Sequence, residues 1–115
     1  MSRRDDTVPM RHMLDHAREA VAMVRGRVRK DVDTDRMLQL PLTRVLEIIG
    51  EAANRVTTEG QARYPDIPWE DVISTRNRVI HGYDMVDYDI VWRIVSEELP
   101  VLIAALEHAL PGQVS

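Results

Sequence analysis

The apolar residues of this chain recur at intervals of three and four over long stretches, a spacing that commits most of the sequence to helices burying one face each. Met10, Met13, Leu14, Ala17, Val21, Val24 and Val28 share one face of a first helix opening after Pro9. A second helix, capped by Asp33 or Thr34, meets Pro41, where a kink or restart is expected, and continues through Leu42, Val45, Leu46, Ile49, Ala52, Ala53 and Val56. Gly50 lies beside that stripe, where a helix-interior Gly costs about 1 kcal/mol relative to Ala, so a neighbouring helix is expected to approach its backbone closely. Thr57 to Tyr64 reads as the way out of this helix. The two-proline link Pro65-Asp66-Ile67-Pro68 leads into a third helix, expected to stop near His81 with Gly82 in the left-handed turn beyond it. Asp87 caps a fourth, which carries Ile90, Val91, Ile94, Val95, Leu99, Leu102, Ile103, Leu106 and Leu110 and should bend at Pro100. The expected architecture is all-α, an up-and-down bundle of four to five helices in a single domain over residues 1–115.

Composition removes several kinds of chemistry. The chain has no Cys, hence no disulfide framework, thiolate metal site or cysteine nucleophile. His12 and His16 stand four apart but lack a third ligand in the sequence, so they read as solvated surface, and no metal or cofactor is expected. No apolar run approaches the ~20 residues that span a bilayer, and MSRRDDTVPM lacks the apolar core of a signal peptide, so a cytoplasmic protein without a membrane partner is expected. The formal net charge of −4 argues against a general DNA-coating role, because polyphosphate rewards clustered cations. All basic residues but Lys30 are Arg. The cluster Arg25, Arg27, Arg29 and Lys30 suits the solvated last turn of the first helix, at the negative end of its dipole.

One arginine breaks the pattern. At about 100° per residue, Trp69, Val72, Ile73, Val79 and Ile80 form one apolar face of the third helix, and Arg76 falls near its centre. A guanidinium cannot lie unpaired against a core. It requires a carboxylate, with Glu47 or Glu51 as the nearest candidates in a buried ion pair, or a face that opens onto a cleft or subunit boundary. Asn77 and His81, four residues apart, stack on the next sector, with Arg78 beside them. In an unbroken helix Arg76 and His81 point about 140° apart, so they meet on one ligand only if the last turn loosens or two subunits pair across this face.

The string Arg76-Asn77-Arg78-Val79-Ile80-His81-Gly82-Tyr83 resembles the signature of HEPN-domain proteins in the form of Arg, four residues, His, one residue and Tyr, which belongs to the HepT-like group. The likeness extends to Arg44–Ala52, to the YPDIPW link and to the DYDIVW start of the last helix, about two-thirds of the chain. The resemblance implies a helical bundle that homodimerises, bringing the Arg/His motifs of two subunits into one cleft as a metal-independent endoribonuclease. It also implies a toxin whose partner is a minimal nucleotidyltransferase antitoxin, which silences it by adenylylating the motif's Tyr, here Tyr83 as O-AMP-tyrosine.

The residue types suit that chemistry. RNA carries its own nucleophile in the 2′-OH, so a protein need only move protons and neutralise charge on the phosphorane. An imidazole is the side chain that exchanges its proton near neutrality, so His81 is the candidate to take or give the proton. Arg76 offers a planar, permanently charged fork to the nonbridging oxygens. Asn77 would orient His81 and Arg78 would hold a flanking phosphate. Two other readings stay open: a noncatalytic helical partner or substrate-binding subunit of a nucleotidyltransferase, and a structural helical dimer in which Arg76 is only a buried salt bridge. Tyr88 and Trp92 read as packing residues.

Overall fold

A computed structural model describes residues 5–83 and 85–112. Its helices are α1 (Thr7–Met23), α2 (Arg29–Thr34), α3 (Arg36–Asn54), α4 (Thr58–Arg63), α5 (Trp69–Ile73), α6 (Thr75–Val79), α7 (Tyr88–Arg93) and α8 (Leu99–Ala109), with a π-helical turn, Ile94–Glu98, joining α7 to α8. Among the described residues the one extended pairing is an isolated antiparallel bridge between Ile80 and Val86, so the fold is all-α. The run α7, π turn and α8 is continuous, and α5 with α6 fills the place of a single expected helix. The four segments of the periodicity are therefore present, with α2 and α4 as short helices in the links. No helix among the described residues is long and apolar enough to cross a membrane.

The core forms where α1 lies against α3 and α8. Met10, Met13, Leu14 and Ala17 of α1, Leu42, Leu46 and Ile49 of α3, and Leu102 and Leu106 of α8 are buried in one cluster. Each Leu or Met so buried contributes about 1.5–3 kcal/mol, enough for the stripes to dictate which faces meet.

Several boundaries differ from the periodicity, each for a local reason. Helix α1 ends at Met23, so Arg25, Arg27, Arg29 and Lys30 do not form its last turn and Val28 lies exposed. Val28 is extended, and its N–H donates to Asp31 Oδ2 at 2.8 Å, which opens α2. Within that cluster Arg29 pairs locally with Asp33 at 2.9 Å and, across the fold, with Asp89 at 2.7 Å. Asp35, not Asp33 or Thr34, caps α3 by accepting from the Met37 N–H at 3.0 Å. Pro41 does not restart α3, which runs through it as one element because the buried side chains on either side, Leu38, Leu42 and Val45, hold the same face to the core.

The segment expected as a simple way out is α4, capped by Thr57, whose hydroxyl accepts from the Gly60 N–H at 3.0 Å. Asp6 in turn accepts from the Thr57 N–H at 2.9 Å, tying the start of α1 to this link. Across the two-proline connection the Trp69 indole N–H donates to the Tyr64 carbonyl at 3.0 Å and sets the direction of α5. Asp87 caps α7 as expected, accepting from the N–H groups of Asp89 and Ile90. At Pro100 the helix widens instead of simply bending: the Leu99 N–H reaches back to the Ile94 carbonyl, a five-residue turn that makes room for the proline ring.

Candidate functional site

The third helix expected from the sequence is broken in two, and the break decides where the candidate residues point. Ser74 ends α5 and precedes α6 with φ −86° and ψ 7°. Its hydroxyl donates to the Asp71 carbonyl at 3.2 Å, while that of buried Thr75 donates to the Val72 carbonyl at 2.7 Å. Two successive hydroxyls thus take carbonyls that the α-helical ladder would use, and the ladder fails between them. Helix α6 restarts with Thr75 and Val79 as its buried residues. Arg76 is therefore not at the centre of an apolar face. Its side chain is 69% exposed, and the expected buried ion pair is instead a loose surface pair, Nε to Glu47 Oε2 at 3.8 Å.

Arg76 lies at the edge of a groove of about 220 Å³ that it lines with Glu47, Gly50, Glu51, Asn54, Ile73 and Asn77. Glu47 is shared: Arg44 approaches it at 3.7 Å and also Glu51 at 3.4 Å. Gly50 forms part of this wall because the Val72 carbonyl oxygen would stand only 3.0 Å from a β-carbon there, the close approach anticipated from the helix-interior glycine.

Beyond α6 the chain turns extended at Ile80 rather than staying helical to His81. The His81 N–H donates to the Met85 carbonyl at 2.6 Å and the Asp87 N–H to the Val79 carbonyl at 2.7 Å, closing a short hairpin-like loop. Gly82 has φ +79°, the left-handed conformation expected of it, but it serves this loop and not a helix end. The turn has thus loosened before Gly82, one of the two conditions for Arg76 and His81 to serve one ligand. Nε2 of His81 lies 3.0 Å from the Arg78 carbonyl and 4.0 Å from Asp87 Oδ2, and the side chain is 55% exposed. The imidazole's partner is therefore a main-chain carbonyl and not the Asn77 amide, and Asn77 is a residue of the groove lining. Tyr83, on the same loop, is fully exposed. Tyr88 and Trp92 are partly buried and packed against the core.

Arg78 is engaged. Its two terminal nitrogens meet the two carboxylate oxygens of Glu98, in the π turn, at 2.8 and 2.7 Å. Those hydrogen bonds hold the Glu98 carboxyl below the ordinary glutamate value of 4.5 and raise the Arg78 guanidinium, in each case against the opposing effect of burial. A depressed folded-state value means the pair stabilises fully above pH 4.5 and is lost as pH falls through the lower native value. Wild type is accordingly expected to lose more urea resistance than Glu98→Gln between neutral pH and pH ~3. Equal losses would show that the pair adds no acid-sensitive stability. Glu98 carried no signal in the sequence, since its partner lies on a different helix.

Among the described residues no three His, Asp or Glu side chains gather closely enough to hold a metal ion.

The sequence model of a family described as HepT-like, Ribonuclease HepT-like, matches residues 13–109. The "Probable ribonuclease HepT" of Thermococcus cleftensis is 32% identical over 98 residues, which cover 82% of this chain and 89% of that protein. A protein of Methanocaldococcus jannaschii named as a "Putative RNase" is 29% identical over 107 residues, covering 93% of this chain and 98% of its own length. One of Caldanaerobacter subterraneus subsp. tengcongensis, named in the same terms, is 31% identical over 101 residues, 88% of this chain and 90% of that one. No solved structure gives a significant match.

Proposed function

Because the chain belongs to the HepT-like ribonuclease family, we propose that it is an endoribonuclease in which Arg76 and His81, contributed by two copies of the chain, act on one phosphodiester. The observation that carries this reading is the exposure of both side chains on α6 and its loop, with the Arg76 fork held only loosely by Glu47. A guanidinium 3.8 Å from a carboxylate still has donors to give to a phosphate.

The reaction follows from RNA's own structure. The 2′-oxygen bonds to phosphorus as the bond to the 5′-oxygen breaks, leaving a 2′,3′-cyclic phosphate and a 5′-hydroxyl. One proton leaves the 2′-OH and one is delivered to the departing oxygen. His81 performs one of these transfers, and Arg76 takes up the charge that grows on the nonbridging oxygens. No resident metal is needed for either role. Asn77, on the groove wall, is placed to contact substrate, and Arg78 acts by holding the end of α6 while its charge is matched by Glu98.

In this reading the protein is the toxin of a toxin–antitoxin pair. A nucleotidyltransferase partner transfers AMP to Tyr83: the phenol oxygen attacks the α-phosphorus of ATP, pyrophosphate departs and the phenolic proton is lost. The full exposure of Tyr83 supports this, since the hydroxyl is open to another enzyme and the added phosphate would stand where substrate phosphate must lie. A noncatalytic role as partner of such a nucleotidyltransferase is favoured by a different observation. Glu47 and Glu51 crowd the Arg76 groove with negative charge, which opposes RNA binding.

Cleavage decides between them. Purified protein is expected to cut RNA in EDTA and leave cyclic phosphate ends. His81→Ala and Arg76→Ala are each expected to lower the rate by at least about 100-fold with unchanged melting. RNA left intact by wild type, with a tight nucleotidyltransferase complex, establishes the noncatalytic reading instead.

A further inference from the structure

We propose that Glu98 is a positioning residue that, through Arg78, holds the His81 imidazole in its Nε2–H form, so that Nδ1 is the atom that exchanges a proton with RNA. This rests on the reading of His81 as the proton-transfer group, but its structural half stands without it.

The contact that orients the ring is with the Arg78 carbonyl, 3.0 Å from Nε2. A carbonyl oxygen only accepts, so in the neutral ring the proton of this bond belongs to Nε2 and the lone pair to Nδ1. Arg78 lies in the last turn of α6, where carbonyls lack helical partners, and the imidazole takes the place of the missing N–H. The carboxylate of Asp87, 4.0 Å from Nε2, lies on the same side of the ring and favours the same tautomer.

That arrangement depends on the end of α6 staying in place. The helix is five residues long, too short to hold its own last turn. Val79 is buried and its carbonyl accepts from the Asp87 N–H, while Arg78, whose carbonyl the ring takes, is tied by its own side chain to Glu98 in a two-pronged pair reaching across from the π turn. The widened turn ahead of Pro100 thereby gains a structural role, because it carries Glu98, whose two oxygens are both committed to Arg78. Loss of Glu98 frees the guanidinium, loosens the Arg78 peptide within the anchored end of α6 and releases the ring from its carbonyl.

The test uses the full chain labelled with ¹⁵N. In wild type at a pH where His81 is neutral, long-range ¹H–¹⁵N correlations should place both ring nitrogens at the limit of pure Nε2–H, with the Nε2 proton directly visible. In Glu98→Ala the two nitrogens should move toward the mixture of a free imidazole and that proton should vanish into solvent exchange. Arg78→Lys, which keeps charge but not the fork, should fall between. With RNA, Glu98→Ala should lower kcat about tenfold or more while KM stays within about twofold. Glu107→Gln, which breaks the Arg18–Glu107 pair of 2.6 Å elsewhere in the fold, should change neither signal and thereby excludes a general loosening. A wild-type ring protonated at Nδ1, or a Glu98→Ala ring identical to wild type, overturns the proposal. The expected tautomer shift in a protein that leaves RNA intact upholds the positioning role and overturns the nuclease reading.

Discussion

Gly50→Val is expected to destabilise the fold by about 2–3 kcal/mol, lowering the melting temperature of a domain this size by roughly 10–20 °C. A β-carbon at this position would meet the Val72 carbonyl oxygen at 3.0 Å, the Ile73 carbonyl oxygen at 3.5 Å and the Thr75 β-carbon at 3.7 Å. The nearest of these cannot give way freely, because the Val72 carbonyl is the acceptor of the buried Thr75 hydroxyl at 2.7 Å. Alanine sets its β-carbon against the same carbonyl, and its gain of about 1 kcal/mol of helix propensity offsets only part of that, so Gly50→Ala should melt below wild type but well above Gly50→Val. Valine adds two γ-carbons and a β-branched side chain to the same space. Thermal melts by circular dichroism separate the two variants. If Gly50→Val melts with wild type, the junction of α5 and α6 is not packed on α3 as described. The effect reaches the site, since the junction that valine would displace is the one that aims Arg76.

That junction also marks where sequence reasoning stopped. The stripes of α1, α3 and α8 are legible because a helix core is built from spacing alone, and the closeness of α3 to a neighbour was legible from one glycine in a helix interior. The capping role of Asp87 was legible for the same kind of local reason. Ser74-Thr75 was not, because hydroxyls that bond back to helical carbonyls are compatible with an intact helix as well as with a broken one. Projecting one helix across 69–81 placed Arg76 on the core face, and the restart at Thr75 moved it to the groove. Glu98 was hidden for a tertiary reason: its partner is twenty residues earlier in the chain, and its position depends on a widened turn before Pro100. The motif string itself was legible in order and spacing, but its surroundings were not. Arg78 proved to be matched by Glu98, and the His81 ring to be held by a main-chain carbonyl.

Mixing two inactive variants is expected to restore cleavage, and this result bears most directly on how the site is assembled. Within one chain Arg76 looks onto the groove wall of α3, beside Glu47, whereas His81 is turned toward the Arg78 carbonyl and Asp87. The proposed site takes the guanidinium from one copy and the imidazole from another, and the mixture tests that assembly against one in which a single chain supplies both. A dimer of one Arg76→Ala chain and one His81→Ala chain would then keep one of the two symmetry-related Arg76–His81 pairs and lose the other. Random exchange makes about half of the dimers mixed, so an equimolar mixture should recover up to about a quarter of wild-type activity, although each variant alone falls by at least about 100-fold. Cleavage assays before and after subunit exchange, with the exchange followed by mass spectrometry, measure this directly. Full exchange without recovery would place Arg76 and His81 in the same protomer's site. Recovery without mixed dimers would overturn assembly of the site from two paired copies.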